Sequence, residues 1–364
     1  MWLVALLVGL LPWYATMAQN HLRVSEIGGF PQSEAGYAMG VSACFAGTIG
    51  NHIIMAGGCN FPDNSGVKHY YKGIYAACWQ ADTLQWRCIG TLPEPVAYGA
   101  TVDMGDSLLL IGGNNQEHSL RQVVSVKLDP RGNAIVMRLP SLPVTVDNGA
   151  AAYAKGHVFV FGGNQNGKPS KALWSLSCSR PTSQWKSRKA MPGKPRVQPV
   201  CVAHGQRLFA WGGFYAKGAK SKVATDGYAY DVKRNRWAQL AAPRDAAGES
   251  LTLSGATGAT NGAGLLLCLG GVNKTIFADA ISGKYQLVDQ ADYLKQPVAW
   301  YRFNATPLVF NAKTLRWLKP TTPDARLARA GALLIGIAAN QFLYIGGELK
   351  PGVRTPQILR IELE

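Results

Sequence analysis

One pattern of apolar and polar positions recurs six times along the chain. An apolar run of four or five residues ends in a glycine pair: HIIMAGG, SLLLIGG, HVFVFGG, RLFAWGG, LLLCLGG and FLYIGG. The pairs are Gly57-Gly58, Gly112-Gly113, Gly162-Gly163, Gly212-Gly213, Gly270-Gly271 and Gly346-Gly347, spaced by 55, 50, 50, 58 and 76 residues. Before each run stand a small-residue apolar stretch and a polar turn, as in GAAAYAKGHVFVFGG. After most pairs comes a further apolar stretch, such as Ile74-Tyr75 or Tyr228 to Asp231, then a turn and a tryptophan: Trp86, Trp185, Trp237 or Trp317. The second unit departs, with Val136-Met137 where that tryptophan would stand. Short apolar runs bounded by glycine and polar turns read as strands, so each unit predicts a small antiparallel sheet.

Composition sharpens this picture. Charged residues are 16%, well under the roughly 25% of an ordinary soluble domain, while glycine and proline number 41 and 20 in 364 residues. That balance excludes a coiled coil and a helix-rich enzyme, and the aromatic content excludes a disordered chain. A period near 50 with a diglycine and a later tryptophan resembles the kelch repeat. The resemblance implies an all-β, six-bladed β-propeller, whose sheets bury both faces by stacking radially. Each glycine pair would end the second strand where backbones approach closely, and each tryptophan would pack between blades. After Gly347 only one strand remains, from Gln357 to Leu363. The missing fourth strand would come from His21 to Ile27, closing the last blade with both chain ends. The longest gap holds an insertion, about 273–303, expected to be partly helical and to cross one face.

Residues 1–18, MWLVALLVGLLPWYATMA, carry no charged side chain, an apolar core interrupted at Pro12, and a small-x-small ending. This resembles a secretory signal peptide without its usual basic start, and predicts export to the periplasm with a single domain over 19–364. A membrane anchor is the alternative, but the stretch is short and interrupted by Pro12, and no later segment is long and apolar enough to span a bilayer. Seven cysteines include no CxxC spacing. Cys44, Cys201 and Cys268 lie in apolar runs, whereas Cys78 and Cys88 flank a turn and leave a disulfide open. The net charge, 37 − 21 = +16, comes from scattered Lys and Arg with no nucleic-acid signature. It reads as a solubilising surface rather than a nucleic-acid or membrane interface.

In such a ring the segments after each glycine pair would converge on one mouth of the channel. They include Cys59-Asn60-Phe61, Asn114 to His118, Asn164-Gln165, Phe214-Tyr215 and Val272-Asn273. Segments between blades add Glu34, Tyr37, Tyr98, Asp147-Asn148, Arg196, Arg244, Glu249, Arg326 and Arg329. Polar and aromatic groups there suit a sugar-like ligand, although each asparagine is equally a turn former. One stretch stands apart, Gly346 to Thr355, which sets Glu348 and Arg354 six residues apart around Pro351-Gly352. A carboxylate transfers protons, and a guanidinium clamps a carboxylate in bidentate fashion. On spacing alone, a surface salt bridge across the turn explains the pair as well.

The six repeats together with Glu348, Lys350, Pro351, Gly352, Arg354 and Thr355 resemble the sialic acid mutarotases, or N-acetylneuraminate epimerases. The stretch Gly270 to Phe277 and the insertion after it look alike too, so the resemblance covers essentially the whole chain after residue 18. The motif lies near the C-terminus rather than mid-chain, which resembles a cyclically permuted branch; a propeller tolerates this because its ends are neighbours. Val96 stands where the family pattern leads one to expect arginine, which puts one substrate contact in doubt. The resemblance implies interconversion of α- and β-N-acetylneuraminic acid by ring opening and closure, without metal or cofactor. It makes Glu348 and Arg354 the catalytic candidates. Arg354, Asn273, Lys350, Tyr98 and Asn60 become candidates for binding a small anionic sugar. A homodimer is compatible with the sequence. A sialidase lacks its Ser-x-Asp-x-Gly-x-Thr-Trp box here, and His52, His157 and His204 beside turns make a poor copper set. A non-catalytic propeller that binds a glycan or protein is the competing reading.

Overall fold

The computed structural model describes residues 21–63, 65–80, 83–179 and 183–364, so the expected leader lies outside the described residues. The described chain is all-β apart from one inserted segment and short 3-10 turns. Every apolar run before a glycine pair forms the second strand of an antiparallel sheet. Sheet I comprises Phe45–Ile49, His52–Ala56, Gly73–Cys78 and Arg87–Thr91. Sheet II comprises Ala100–Asp103, Leu108–Ile111, Val123–Leu128 and Ala134–Leu139. Sheet III is built from Ala150–Ala154, His157–Phe161, Leu173–Ser177 and Lys186–Arg188. Sheet IV holds Val197–His204, Arg207–Tyr215, Gly227–Asp231 and Arg236–Leu240. Sheet V has Ala256–Thr260, Leu265–Gly270, Leu308–Asn311 and Arg316–Trp317. In sheet VI, Leu333–Ala338, Gln341–Ile345 and Ile358–Leu363 are joined by Leu22–Ile27, paired antiparallel from Leu22 opposite Leu363 to Ile27 opposite Ile358.

Alternation along the second strands sets the core. Ile53 and Met55 of sheet I pack towards Leu343 and Ile358 of sheet VI, while Ile54 and Ala56 pack towards Leu108 and Leu110 of sheet II. The same division recurs at every junction between consecutive sheets. A strand with apolar residues on both faces is stable only when each face is covered, and each fully buried Ile or Leu contributes roughly 1.5–3 kcal/mol. The tryptophans lock neighbouring sheets together. The indole N–H groups of Trp185, Trp237 and Trp317 donate to the carbonyls of Pro140, Lys189 and Ala241, each just past the outer strand of the preceding sheet.

The glycine pairs have a common geometry. At all six, both residues have positive φ. A Cβ at Gly112 would lie 2.2 Å from the Val146 carbonyl oxygen, and one at Gly270 2.2 Å from that of Arg329. The second glycine N–H donates to the carbonyl at that same junction in Gly58→Val96, Gly113→Val146, Gly163→Arg196, Gly271→Arg329 and Gly347→Val41. Only a residue without Cβ permits this approach. Further inward, Ala43, Tyr98, Asn148, Gln198, Gly255 and Gly331 all have left-handed φ. Each donates its N–H to the carbonyl of the one before it: Tyr98→Ala43, Asn148→Tyr98, Gln198→Asn148, Gly255→Gln198, Gly331→Gly255 and Ala43→Gly331. These bonds, 2.7–3.1 Å long, form a closed circle at one end of the first strands.

Two expectations need comment. All seven cysteines are free thiols. Cys88 stands opposite Tyr75 and Cys78 opposite His52, so the register does not set the two thiols against each other. The insertion is partly helical, with α1 at Lys274–Ile281, α2 at Gln290–Tyr293 and a 3-10 turn at Val298–Tyr301. Among the described residues, no helix is long and apolar enough to cross a membrane.

Candidate active site

The segment after Gly347 forms a small hairpin, Glu348–Lys350 against Val353–Arg354, reversed by Pro351-Gly352 with Gly352 at φ 87°. Its base is anchored beside the backbone circle, since Glu348 exchanges both backbone hydrogen bonds with Ala330, next to Gly331. Cross-strand pairing sets Glu348 directly opposite Arg354. The side chains meet, with Arg354 Nη1 2.6 Å from Glu348 Oε1. The contact is an ion pair, and Nη1 has no aligned hydrogen-bond partner among the described residues. Arg354 is 3% exposed in its side chain, whereas Glu348 keeps 25%. The guanidinium also donates from Nε to Ser42 Oγ at 3.0 Å and lies 4.9 Å from the centre of the Phe61 ring. A buried, three-sided seat of this kind fixes the arginine fork, and through it one oxygen of the carboxylate.

The pair borders a cavity of about 570 Å³, lined also by Phe61, Lys68, Tyr98, Leu294, Lys350 and Val353. Tyr98 belongs to the backbone circle, and its left-handed φ of 59° turns it from the sheet into the mouth. Burial pushes its phenol far above the ordinary tyrosine range; nearby Cys59 and Glu348 add to the rise and Arg354 opposes it. Tyr98 therefore stays protonated near neutral pH. Lys68 Nζ donates to Tyr98 Oη at 3.1 Å. From the insertion side, burial raises the Tyr293 phenol to about 12 and lifts Tyr301 too, with Glu348 contributing to both. The hairpin thus faces the insertion across its acidic residue.

The remaining predicted residues divide. Lys350 lines the cavity, but its ammonium donates to the carbonyls of Gln296 at 2.7 Å and Leu294 at 3.2 Å, tying the hairpin to the insertion. Asn60 is buried, with its amide donating to Gly36 and Gly40 carbonyls and its oxygen accepting from Tyr71. Asn273 caps α1 by accepting from the N–H groups of Thr275 and Ile276. Neither asparagine lines the cavity with the pair. Glu34 accepts from Gly73 N–H and Tyr75 Oη, while Tyr37, Arg196 and Arg329 donate to the carbonyls of Gly57, Gly212 and Gly346. Those two arginines occupy the same place in their units as Val96, which is buried against Gly113. In those two units the arginine serves a glycine carbonyl.

Sequence reasoning missed Lys68, Ser42 and Leu294. Ser42 precedes the first circle residue, Leu294 follows α2, and Lys68 precedes the strand His69–Tyr70 that pairs back onto Cys59–Asn60. The clue for Lys68 was its place between the loop after a glycine pair and the aromatics His69-Tyr70-Tyr71.

With this geometry established, comparison with known proteins is decisive. The family model for N-acetylneuraminate epimerase matches residues 12–136 and 139–364. The chain belongs to that family. Relatives named N-acetylneuraminate epimerase include a Yersinia enterocolitica protein, 30% identical over 234 residues, covering 61% of this chain and 56% of the relative. One from Salmonella paratyphi B is 29% identical over 251 residues, covering 65% and 61%. One from Haemophilus influenzae strain PittEE is 30% identical over 232 residues, covering 60% and 57%. The matched stretch spans about three fifths of the length of these N-acetylneuraminate epimerases.

Proposed function

We propose that this chain is a mutarotase that interconverts the α- and β-anomers of N-acetylneuraminic acid. The observation that carries the reading is the Glu348–Arg354 pair, seated at one cavity by a hairpin anchored to the backbone circle. Anomer exchange of a free sugar needs a proton taken from the anomeric hydroxyl and one given to the ring oxygen. The ring opens to the ketone, the carbonyl turns its other face, and the ring recloses. Glu348 is the proton-transfer group, accessible on the cavity side and oriented by Arg354. The protonated Tyr98 hydroxyl bonds a sugar oxygen at the opposite wall.

The proposal extends to the scaffold. The cyclic circle, the junction at every pair of sheets and the pairing of Leu22–Ile27 with Ile358–Leu363 support a closed six-bladed kelch propeller over residues 19–364. Cleavage of a leader after Ala18 and release into the periplasm would leave the strand Leu22–Ile27 intact. Matches confined to three fifths of the relatives suit a cyclic permutation, since a linear comparison stops where the order breaks.

Proton NMR of freshly dissolved N-acetylneuraminic acid, with and without protein, tests the reading. The wild type should speed the approach to anomeric equilibrium. Glu348→Gln should keep binding but slow exchange about 10²–10⁴-fold. Unchanged exchange in that variant would move the chemistry elsewhere, and binding without any exchange in the wild type would leave a sugar-binding protein.

A further inference from the structure

We infer that Lys68, set among aromatic rings in the cavity that Glu348 also lines, is the residue that selects a carboxylate-bearing sugar. The choice of ligand rests on the function proposed above. Arg354 is the expected anion clamp, but its charge is already met by Glu348 at 2.6 Å and its Nε by Ser42. The ammonium of Lys350 is spent on two backbone carbonyls of the insertion. The cavity's second carboxylate, Asp63, accepts both the N–H and the hydroxyl of Ser65. Lys68 remains. Among the described residues it forms no ion pair, and its one hydrogen bond goes to the neutral Tyr98 hydroxyl.

Its surroundings hold it in place without neutralising it. Nζ lies 5.0 Å from the ring centre of Tyr98, 5.8 Å from Phe61 and 6.0 Å from Tyr70. Aromatic faces attract a cation and displace water from it, yet carry no net charge. An ammonium has three N–H donors, and one is used. Both cations lie against the Phe61 ring, but among the described residues only Arg354 has a carboxylate beside it. A sugar placed with its anomeric hydroxyl towards Glu348 would carry its carboxylate on the same carbon, within the cavity that Lys68 lines. Lys68 recognises the acid and Arg354 aims the proton-transfer group. It contributes binding and touches no transferred proton.

The test compares binding of N-acetylneuraminic acid and its neutral methyl ester to the full-length protein, by titration calorimetry or ligand-observed NMR. The wild type should prefer the acid. Lys68→Met should bind the acid about 10–100-fold more weakly, the loss typical of one hydrogen bond to a charged group, with ester affinity unchanged. Lys68→Arg should retain most of the preference. If Lys68→Met prefers the acid as strongly as wild type does, or wild type does not distinguish the two, the assignment is wrong. Anomer exchange is read separately. A Lys68-dependent preference in a protein that does not exchange anomers would sink the mutarotase reading and support the carboxylate assignment. An exchanging protein whose preference ignores Lys68 would do the reverse.

Discussion

Arg354 and Glu348 show what a short sequence motif fixes and what it leaves open. Six positions around Pro351-Gly352 bring the two charges within reach of each other, but their direct pairing depends on a register shift between Glu348 and Lys350 that the spacing does not mark. The seat of the arginine could not be predicted from that spacing, since Ser42 and Phe61 come from about 300 residues away in sequence. The seat makes a specific demand. Arg354→Lys keeps the charge but loses the fork that meets Glu348 and Ser42 together. Anomer exchange should fall about tenfold or more while the melting temperature stays near that of wild type. Exchange at the wild-type rate would show that Glu348 needs no orienting partner. Asn60 and Asn273 have side-chain partners that no spacing reveals, for a related reason. An asparagine side chain binds backbone N–H groups and carbonyls as readily as it binds a sugar, and here the backbone has both residues.

At the level of strands and turns, the glycine pairs were the legible feature, and the structure explains why. Their spacing marks where one sheet touches the start of the next, a contact between backbones that no side chain survives. Gly112→Ala would force a Cβ to 2.2 Å from the Val146 carbonyl oxygen at a φ of 61°. It should destabilise the protein by about 2–3 kcal/mol or more, measured by urea unfolding. Gly105 is the control, with φ 86° but open space around its Cβ, and Gly105→Ala should cost about 1 kcal/mol. Equal losses would mean that conformation and not crowding keeps glycine at 112. Register was less legible. Cys78 and Cys88 are ten positions apart, yet pairing sets Cys88 opposite Tyr75, a register that spacing along the chain does not fix. The insertion's fate was half readable: its helices follow from composition, but its tether through Lys350 depends on a carbonyl pair that no pattern marks.

For the whole molecule, the two ends were readable because counting strands leaves the last sheet one short and one strand to spare near the start of the chain. The strand Leu22–Ile27 covers the edge of Ile358–Leu363 and completes sheet VI. Deleting residues 21–27 should lower the melting temperature by about 5 °C or more and promote association through the bared edge, seen by thermal scans and light scattering. A truncated chain that melts like the full one would mean the ring is held by the glycine junctions alone. Those junctions leave a last consequence at the circle of six left-handed residues. Their amides and carbonyls are wholly engaged with one another, so the rim has only its side chains to offer a visitor. Tyr98, Asn148 and Gln198 furnish one arc, with Gln198 donating to Asn148. Ala43, Gly255 and Gly331 leave the other arc almost bare, and it is there that sheet VI sends in its hairpin and sheet V its helical strap. The backbone circle repeats six times but its side chains are lopsided: the bare arc leaves room for the hairpin that carries Glu348, and a large side chain at position 255 or 331 would crowd it.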